Sequence, residues 1–171
     1  MTFDNVRVPI TNRLGDEGQG FPIAMQGING TRVNLSACSV GGAQWALDET
    51  INYVQTRTQF GKKISAFQNT QFKLAQMAGE LFAAKQTVRQ AANVMDIDPS
   101  KAGPAAATAK LIATEKSHRI IDQCLQMFGG YGYTYDYPIQ QLLRDNRVHS
   151  IIGGTNEMMR LIVARKLLGR D

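Results

Sequence analysis

The one acid–base or metal candidate in the sequence is Glu115-Lys116-Ser117-His118, a carboxylate and an imidazole one helical turn apart. A di-iron bundle needs two such Glu-x-x-His motifs and two further glutamates. The only other histidine, His149, has asparagine three residues before it. His118 therefore reads as a surface or satisfied histidine, and no metal site is expected. No Cys-x-x-Cys, P-loop or Gly-x-Ser-x-Gly element is present. Three other places gather polar residues where the chain changes direction. Arg57-Thr58-Gln59-Phe60-Gly61 follows a predicted helix end; on its own it is an arginine complementing a helix dipole, a core phenylalanine and a turning glycine. Gln126 to Gly130 joins a helix C-terminus to two glycines, the pattern of a cap. Thr155 and Glu157 open the last helix as an N-cap and a favourable first-turn acid. A helix N-terminus is also a natural anion site.

These residues need elements to hold them. The 171 residues suit one domain, with 43% hydrophobic and 19% charged residues, an ordinary globular balance. The net charge of +5 is spread along the chain without a basic run, so nucleic acid is not expected as a partner. A solvated mixed surface explains the charge, and a few cations facing a phosphate-bearing cofactor would do so equally well. No apolar run approaches 18 residues, so no membrane span is expected. Nor does the N-terminus show a basic-then-apolar signal pattern. Cys38 and Cys124 both fall in apolar helical patterns and are expected to be buried thiols in a reducing compartment.

Residues 2–8 alternate up to Pro9 and predict one short strand, marginal without a partner. Residues 9–20 hold Pro9, Gly15, Gly18 and Gly20 and predict a loop. From Pro22 to about Arg57, apolar residues recur at helical spacing through Val33, Ala37, Val40, Ala43, Leu47, Ile51 and Val54. That helix tolerates Gly41 and Gly42, for which close helix packing is the expected reason. Gly30 lies nearer the expected substrate cleft. After a loop near 58–66, a second helix runs from about Gln68 to Met95, with Phe72, Met77 and Leu81 or Phe82 on its inner face. A break at 96–104 precedes a third helix from about Pro104 to Met127. A Gly-Tyr loop at 129–137, a short helix from Pro138 to about Asn146 and a last helix from Thr155 or Asn156 to before Gly169 complete the chain. Long helices with short connections predict an all-α, up-and-down helical bundle.

The stretch Arg144 to Leu168, RDNRVHSIIGGTNEMMRLIVARKLL, taken with Arg57-Thr-Gln-Phe-Gly61 and Leu125-Gln-Met-Phe-Gly-Gly-Tyr-Gly-Tyr133, resembles the C-terminal helical domain of the flavin-dependent acyl-CoA dehydrogenases. The resemblance covers essentially the whole chain. Its closing patterns are most similar to short branched-chain enzymes of the isobutyryl-CoA type. It implies residues 1–20 as the end of a middle β-domain with its linker, and 21–171 as the helical bundle domain. Its cofactor would be FAD. Arg57, Phe60 and Gln68, with Gln126, Gly129 and Gly130, would reach the FAD of a neighbouring subunit; Arg suits a diphosphate because its planar fork bonds bidentately. Thr155 and Glu157 would also contact FAD. Asn29, Arg32 and Gly154 would meet the acyl-CoA substrate, with Asn29 standing where the family often has an acid. The family assembles as homodimers or homotetramers, serves fatty-acid or branched-chain amino-acid catabolism, and works in a mitochondrial matrix or bacterial cytoplasm.

One position departs from the family. Its general base normally belongs to a Glu-Gly-Thr/Ser triplet before the last helix. Here the triplet is Gly153-Gly154-Thr155. General-base catalysis typically contributes about 10²–10⁴-fold, and Gly153 offers no acceptor. The isovaleryl-type branch puts its glutamate on the long helix, where this chain has Thr31. Gly153 is also expected to loosen the turn. The chain by itself is expected to be inactive: an FAD-dependent acyl-CoA dehydrogenase domain without its base. The alternative is a non-catalytic scaffold for helical self-association or acyl-CoA binding.

Overall fold

A computed structural model describes residues 2–170. The long elements are α1 (Gly20–Thr56), a two-residue hairpin of β1 (Thr58–Gln59) and β2 (Lys62–Lys63), α2 (Gln68–Ile97) and α3 (Ala102–Phe128). A single turn, α4 (Gly130–Tyr133), then leads to α5 (Ile139–Arg147) and α6 (Asn156–Leu167). The fold is all-α, as expected. The two strands pair antiparallel, Thr58 opposite Lys63 and Gln59 opposite Lys62.

Helix α3 is the axis of the bundle. It packs on α1, α2, α5 and α6. Its alanines favour the helix intrinsically. They also let neighbours come close: Ala106, Ala109 and Ala113 are fully buried beside Ile120, Ile121 and Cys124. Val40, Ala43 and Leu47 of α1 and Met77, Leu81 and Ala84 of α2 complete the core. The 37 residues of α1 form a rod of roughly 55 Å. Arg32, in the fourth turn of α1, and Arg57, just past its C-terminus, therefore stand roughly 37 Å apart along the axis.

Several expectations are corrected. Residues 2–8 form no strand; among the described residues no strand pairs with them, and Phe3, Val6 and Val8 stay exposed. The 58–66 segment is a hairpin followed by a 3₁₀ turn at Ile64–Ala66, and the 129–137 loop contains α4. Phe72 and Phe82 lie on the outer face of α2, each 64% exposed. Ala37 is exposed on α1. Cys124 is buried, whereas Cys38 is exposed: the α1 face that carries it is covered by no other helix. Gly42 packs against α5, where an added Cβ would meet Leu142 Cδ1 at 3.1 Å, but Gly41 faces open space. Gly30 is also open.

Candidate functional site

Two polar centres sit well apart along α1. The first forms where α1 and α3 terminate. Arg57 caps α1: its N–H donates to Tyr53 O at 2.9 Å, and its carbonyl accepts from Ile64 N at 2.9 Å. The hairpin thus pins its backbone from both sides, and the guanidinium lies over the Tyr131 ring, 5.4 Å from the centroid. At the end of α3 the chain passes through Gly129 (φ +61°, ψ −140°), a region L side chains avoid. Gly132 fits closely: an added Cβ would meet Leu125 O and Phe128 Cβ at 2.7 Å. Tyr53 stacks on Phe128 at 4.3 Å between centroids, with Tyr137 packed on both.

The result is a cleft of about 530 Å³ lined by Arg57, Gln59, Gln126, Gly129, Gly130 and Tyr131, among others. Nothing lies within 4 Å of where a Cβ would stand on Gly129 or Gly130, so a ligand can approach that backbone closely. Burial pushes the Tyr53 phenol up, with Arg57 drawing it down and Tyr137 and Tyr131 adding to the rise. Its hydroxyl therefore stays protonated and donates to Phe128 O at 3.3 Å. Four of the six residues expected here, Arg57, Gln126, Gly129 and Gly130, are brought together. The other two, Phe60 and Gln68, are not among the residues that line the cleft. Gln68 is exposed at the start of α2. Phe60, read from its sequence context as core, is 91% exposed at the hairpin tip with φ +51°; a bulky residue in that region is strained.

The second centre is the turn before α6. Gly153 (φ +67°) and Gly154 (φ +91°) are both left-handed, which glycine adopts at no steric cost. The turn is not loose. Arg32 Nε donates to Gly153 O at 3.0 Å, and Arg32 Nη1 to Asn29 Oδ1 at 3.0 Å. Lys110 Nζ donates to Gly154 O at 2.6 Å. Asn29, Arg32 and Gly154, expected together, do meet here. Arg32 is only 6% exposed, and desolvation lowers its pKa.

Beyond the turn, the Thr155 side chain caps α6 by accepting from Met158 N at 3.5 Å. Glu157 is exposed. Its carboxylate is held low by its own backbone N–H first and by the Thr155 hydroxyl second, with Arg160 and Lys110 adding to this. The same helix start walls a pocket of about 380 Å³ that also holds Glu115, His118, Arg147 and Arg160. His118 is half-buried in the wall of this pocket. Its Nδ1 is buried without a hydrogen-bond partner. Glu115 pairs with Arg160.

Sequence reasoning missed Lys110, Asn156 and the Ser39–His149 contact (2.8 Å). Lys110 left a trace. It sits between Ala106 and Ala113, at the i+4 and i−3 spacings of the apolar stripe, where a lysine is out of place.

The sequence profile described as "Acyl-CoA dehydrogenase, C-terminal domain" matches residues 18–168. The chain is 46% identical over 171 residues to the mitochondrial isobutyryl-CoA dehydrogenase of Dictyostelium discoideum, covering 100% of this chain and 41% of that one. It is 45% identical over 166 residues to the mitochondrial isobutyryl-CoA dehydrogenase of Bos taurus, covering 97% and 40%. Among solved structures, the butyryl-CoA dehydrogenase of Megasphaera elsdenii superposes with a TM-score of 0.92 at 38% identity, covering 97% of this chain and 43% of that one. The chain therefore spans about two fifths of the length of the curated relatives it matches. With that profile matched over nearly its whole length, the chain belongs to the acyl-CoA dehydrogenase family, as its C-terminal domain.

Proposed function

We propose that this chain supplies the helical half of an FAD site and an acyl-CoA site, in a protein whose parent reaction is α,β-dehydrogenation of a short, branched acyl-CoA. The observation that carries the reading is the cleft uniting Arg57, Gln126, Gly129 and Gly130. Its donor set fits a dinucleotide diphosphate: a guanidinium fork, a side-chain amide and a glycine backbone open to close approach. Phe60 and Gln68, outside the cleft lining, are assigned to the same cofactor on the family resemblance. Thr155 and Glu157 at the start of α6 add a second set of polar contacts for the same cofactor class. When bound, the flavin supplies a hydride acceptor.

The chain's own residues then have separable tasks. Arg57 and Gln126 bind phosphate and hydroxyl oxygens. Asn29, Arg32 and the Gly153-Gly154 turn present backbone to the acyl-CoA. Neither position where the family places its base supplies one: Gly153 carries no side chain, and Thr31 donates its hydroxyl to Gly27 O at 3.0 Å, where it is no base at neutral pH. We therefore assign the chain alone no dehydrogenase turnover. A second reading, a non-catalytic scaffold that self-associates or holds acyl-CoA, is carried by that same Gly153.

The test is a visible absorption spectrum across a sizing column, with and without added FAD. A flavin band co-eluting with a homodimer or homotetramer supports the FAD reading. A colourless oligomer that ignores FAD overturns it in favour of the scaffold.

A further inference from the structure

Lys110 is fully buried, which a lysine almost never is unless paired. No carboxylate lies within 4 Å of its ammonium among the described residues. Its partners are two neutral oxygens: Gly154 O at 2.6 Å and Asn156 Oδ1 at 3.0 Å. Around it a closed ring forms. Thr114 Oγ1 donates to Lys110 O at 2.8 Å, Asn156 Nδ2 donates to Thr114 Oγ1 at 3.0 Å, and Lys110 returns to Asn156. The charged and titratable groups facing the ammonium are Arg32 from α1, His149 from the 3₁₀ turn at Val148–Ser150, and Glu157 from α6.

An ammonium held this way is costly, and an apolar side chain of similar volume would serve stability as well or better. What the ammonium does that a methionine could not is fix a direction. In a trans peptide the C=O and the next N–H point opposite ways. Arg32 draws the Gly153 carbonyl inward and Lys110 draws the Gly154 carbonyl inward. The N–H groups of Gly154 and Thr155 are thereby turned away from the two cations. Two successive left-handed glycines would otherwise let this turn sample several orientations.

We propose that Lys110 is a positioning residue. It touches no ligand, but it sets the orientation of the Gly154–Thr155 peptide and of the first residue of α6, and so of the polar contacts that the turn presents. The ligand side of this assignment rests on the FAD reading given above.

The test begins with the unmutated chain, so it does not depend on a variant folding. NMR follows Lys110 Cε and the Gly154 carbonyl carbon between pH 7 and pH 11. One shared midpoint for both signals is expected, and a Gly154 carbonyl that ignores the lysine titration overturns the proposal. In Lys110→Met, the Gly154 titration should vanish while signals from the far ends of α1 and α2 stay in place; its persistence overturns the proposal. FAD titration of the two chains adds a functional reading. An affinity about tenfold weaker in Lys110→Met is expected, the size of one charge-assisted hydrogen bond, with partial recovery in Lys110→Arg. Equal affinities refute the positioning role. If the unmutated chain binds no FAD, the FAD reading fails while the carbonyl titration still decides the role of Lys110.

Discussion

Replacing Gly153 is the most direct way to test the turn, and the structure sets the magnitudes. The φ of +67° costs an L-residue about 1–2 kcal/mol. Loss of glycine's freedom in the unfolded chain returns about 0.4–1 kcal/mol. There is room for a side chain: an added Cβ would lie 3.8 Å from Leu35 Cδ2 and 3.9 Å from Arg32 Cγ, ordinary contact. Gly153→Ala should therefore be destabilised by about 1 kcal/mol, from backbone strain and not from a clash. Gly153→Glu carries the same strain, but its carboxylate extends alongside the Arg32 side chain. That attraction should recover up to about 1 kcal/mol for a half-buried pair. Beside a guanidinium the carboxyl pKa in the folded chain falls below its unfolded value of about 4.3. The recovered stability is thus present above that value and lost as pH falls through the folded pKa. Urea denaturation of both variants at pH 7 and pH 3 measures this. Glu should exceed Ala at pH 7 and equal it at pH 3. Two results would refute the reasoning: an Ala variant as stable as the parent, or Glu and Ala variants indistinguishable at both pH values.

Other consequences can be checked separately. Arg57→Ala should weaken FAD binding about tenfold or more while costing under about 1 kcal/mol of stability, the value of its contact with Tyr131; Arg57→Lys should not restore the affinity, because a point charge lacks the fork. Iodoacetamide should modify Cys38 in the folded chain and reach Cys124 only in urea, since burial pushes the Cys124 thiol up to about 11 and shields it; mass spectrometry showing two adducts on folded protein would contradict the packing. Burial lowers the His149 pKa, with Asp145 opposing and Lys110 reinforcing. The unfolded chain then binds the proton more readily, so stability should fall as pH drops below about 6.5, and His149→Asn should flatten that part of the profile in urea titrations. Complete assembly of a parent enzyme carrying Gly153→Glu should gain exchange of the acyl-CoA α-proton with solvent deuterium, and an unchanged exchange rate would show that more than the base is missing.

Helical periodicity and the Gly and Pro positions were enough to place the long helices, because α1 and α2 each bury a face against α3, and α2 and α3 stop just before Pro99 and Gly129. The helix ends at Arg57 and at Gln126 to Gly130 were legible for a related reason, because local sequence dictates local geometry there; that they serve one site was implied only by the family resemblance. What failed depended on neighbours the sequence does not display. Residues 2–8 alternate like a strand but meet no ladder. Phe72 and Cys38 have the right period for burial, yet sit on helix faces that no other element covers. Lys110 reads as an ordinary polar residue until the Gly154 carbonyl and Asn156, 44 and 46 positions away, are folded onto it. The clamp on the turn likewise exists only in three dimensions, which is why two adjacent glycines suggested slack where the fold holds them fast.

The length of α1 has a consequence for stoichiometry. The roughly 37 Å of helix axis between Arg32 at the Gly153 turn and Arg57 at the cleft keeps the two sets of contacts apart on a single chain. A ligand that needs both sets of contacts must take one from each of two chains. Occupancy would then be a second-order property: diluting the protein would release the ligand even at constant ligand concentration, and adding ligand would drive assembly by the same linkage. Each ligand would also count an interface rather than a polypeptide, so saturation would report the number of paired ends.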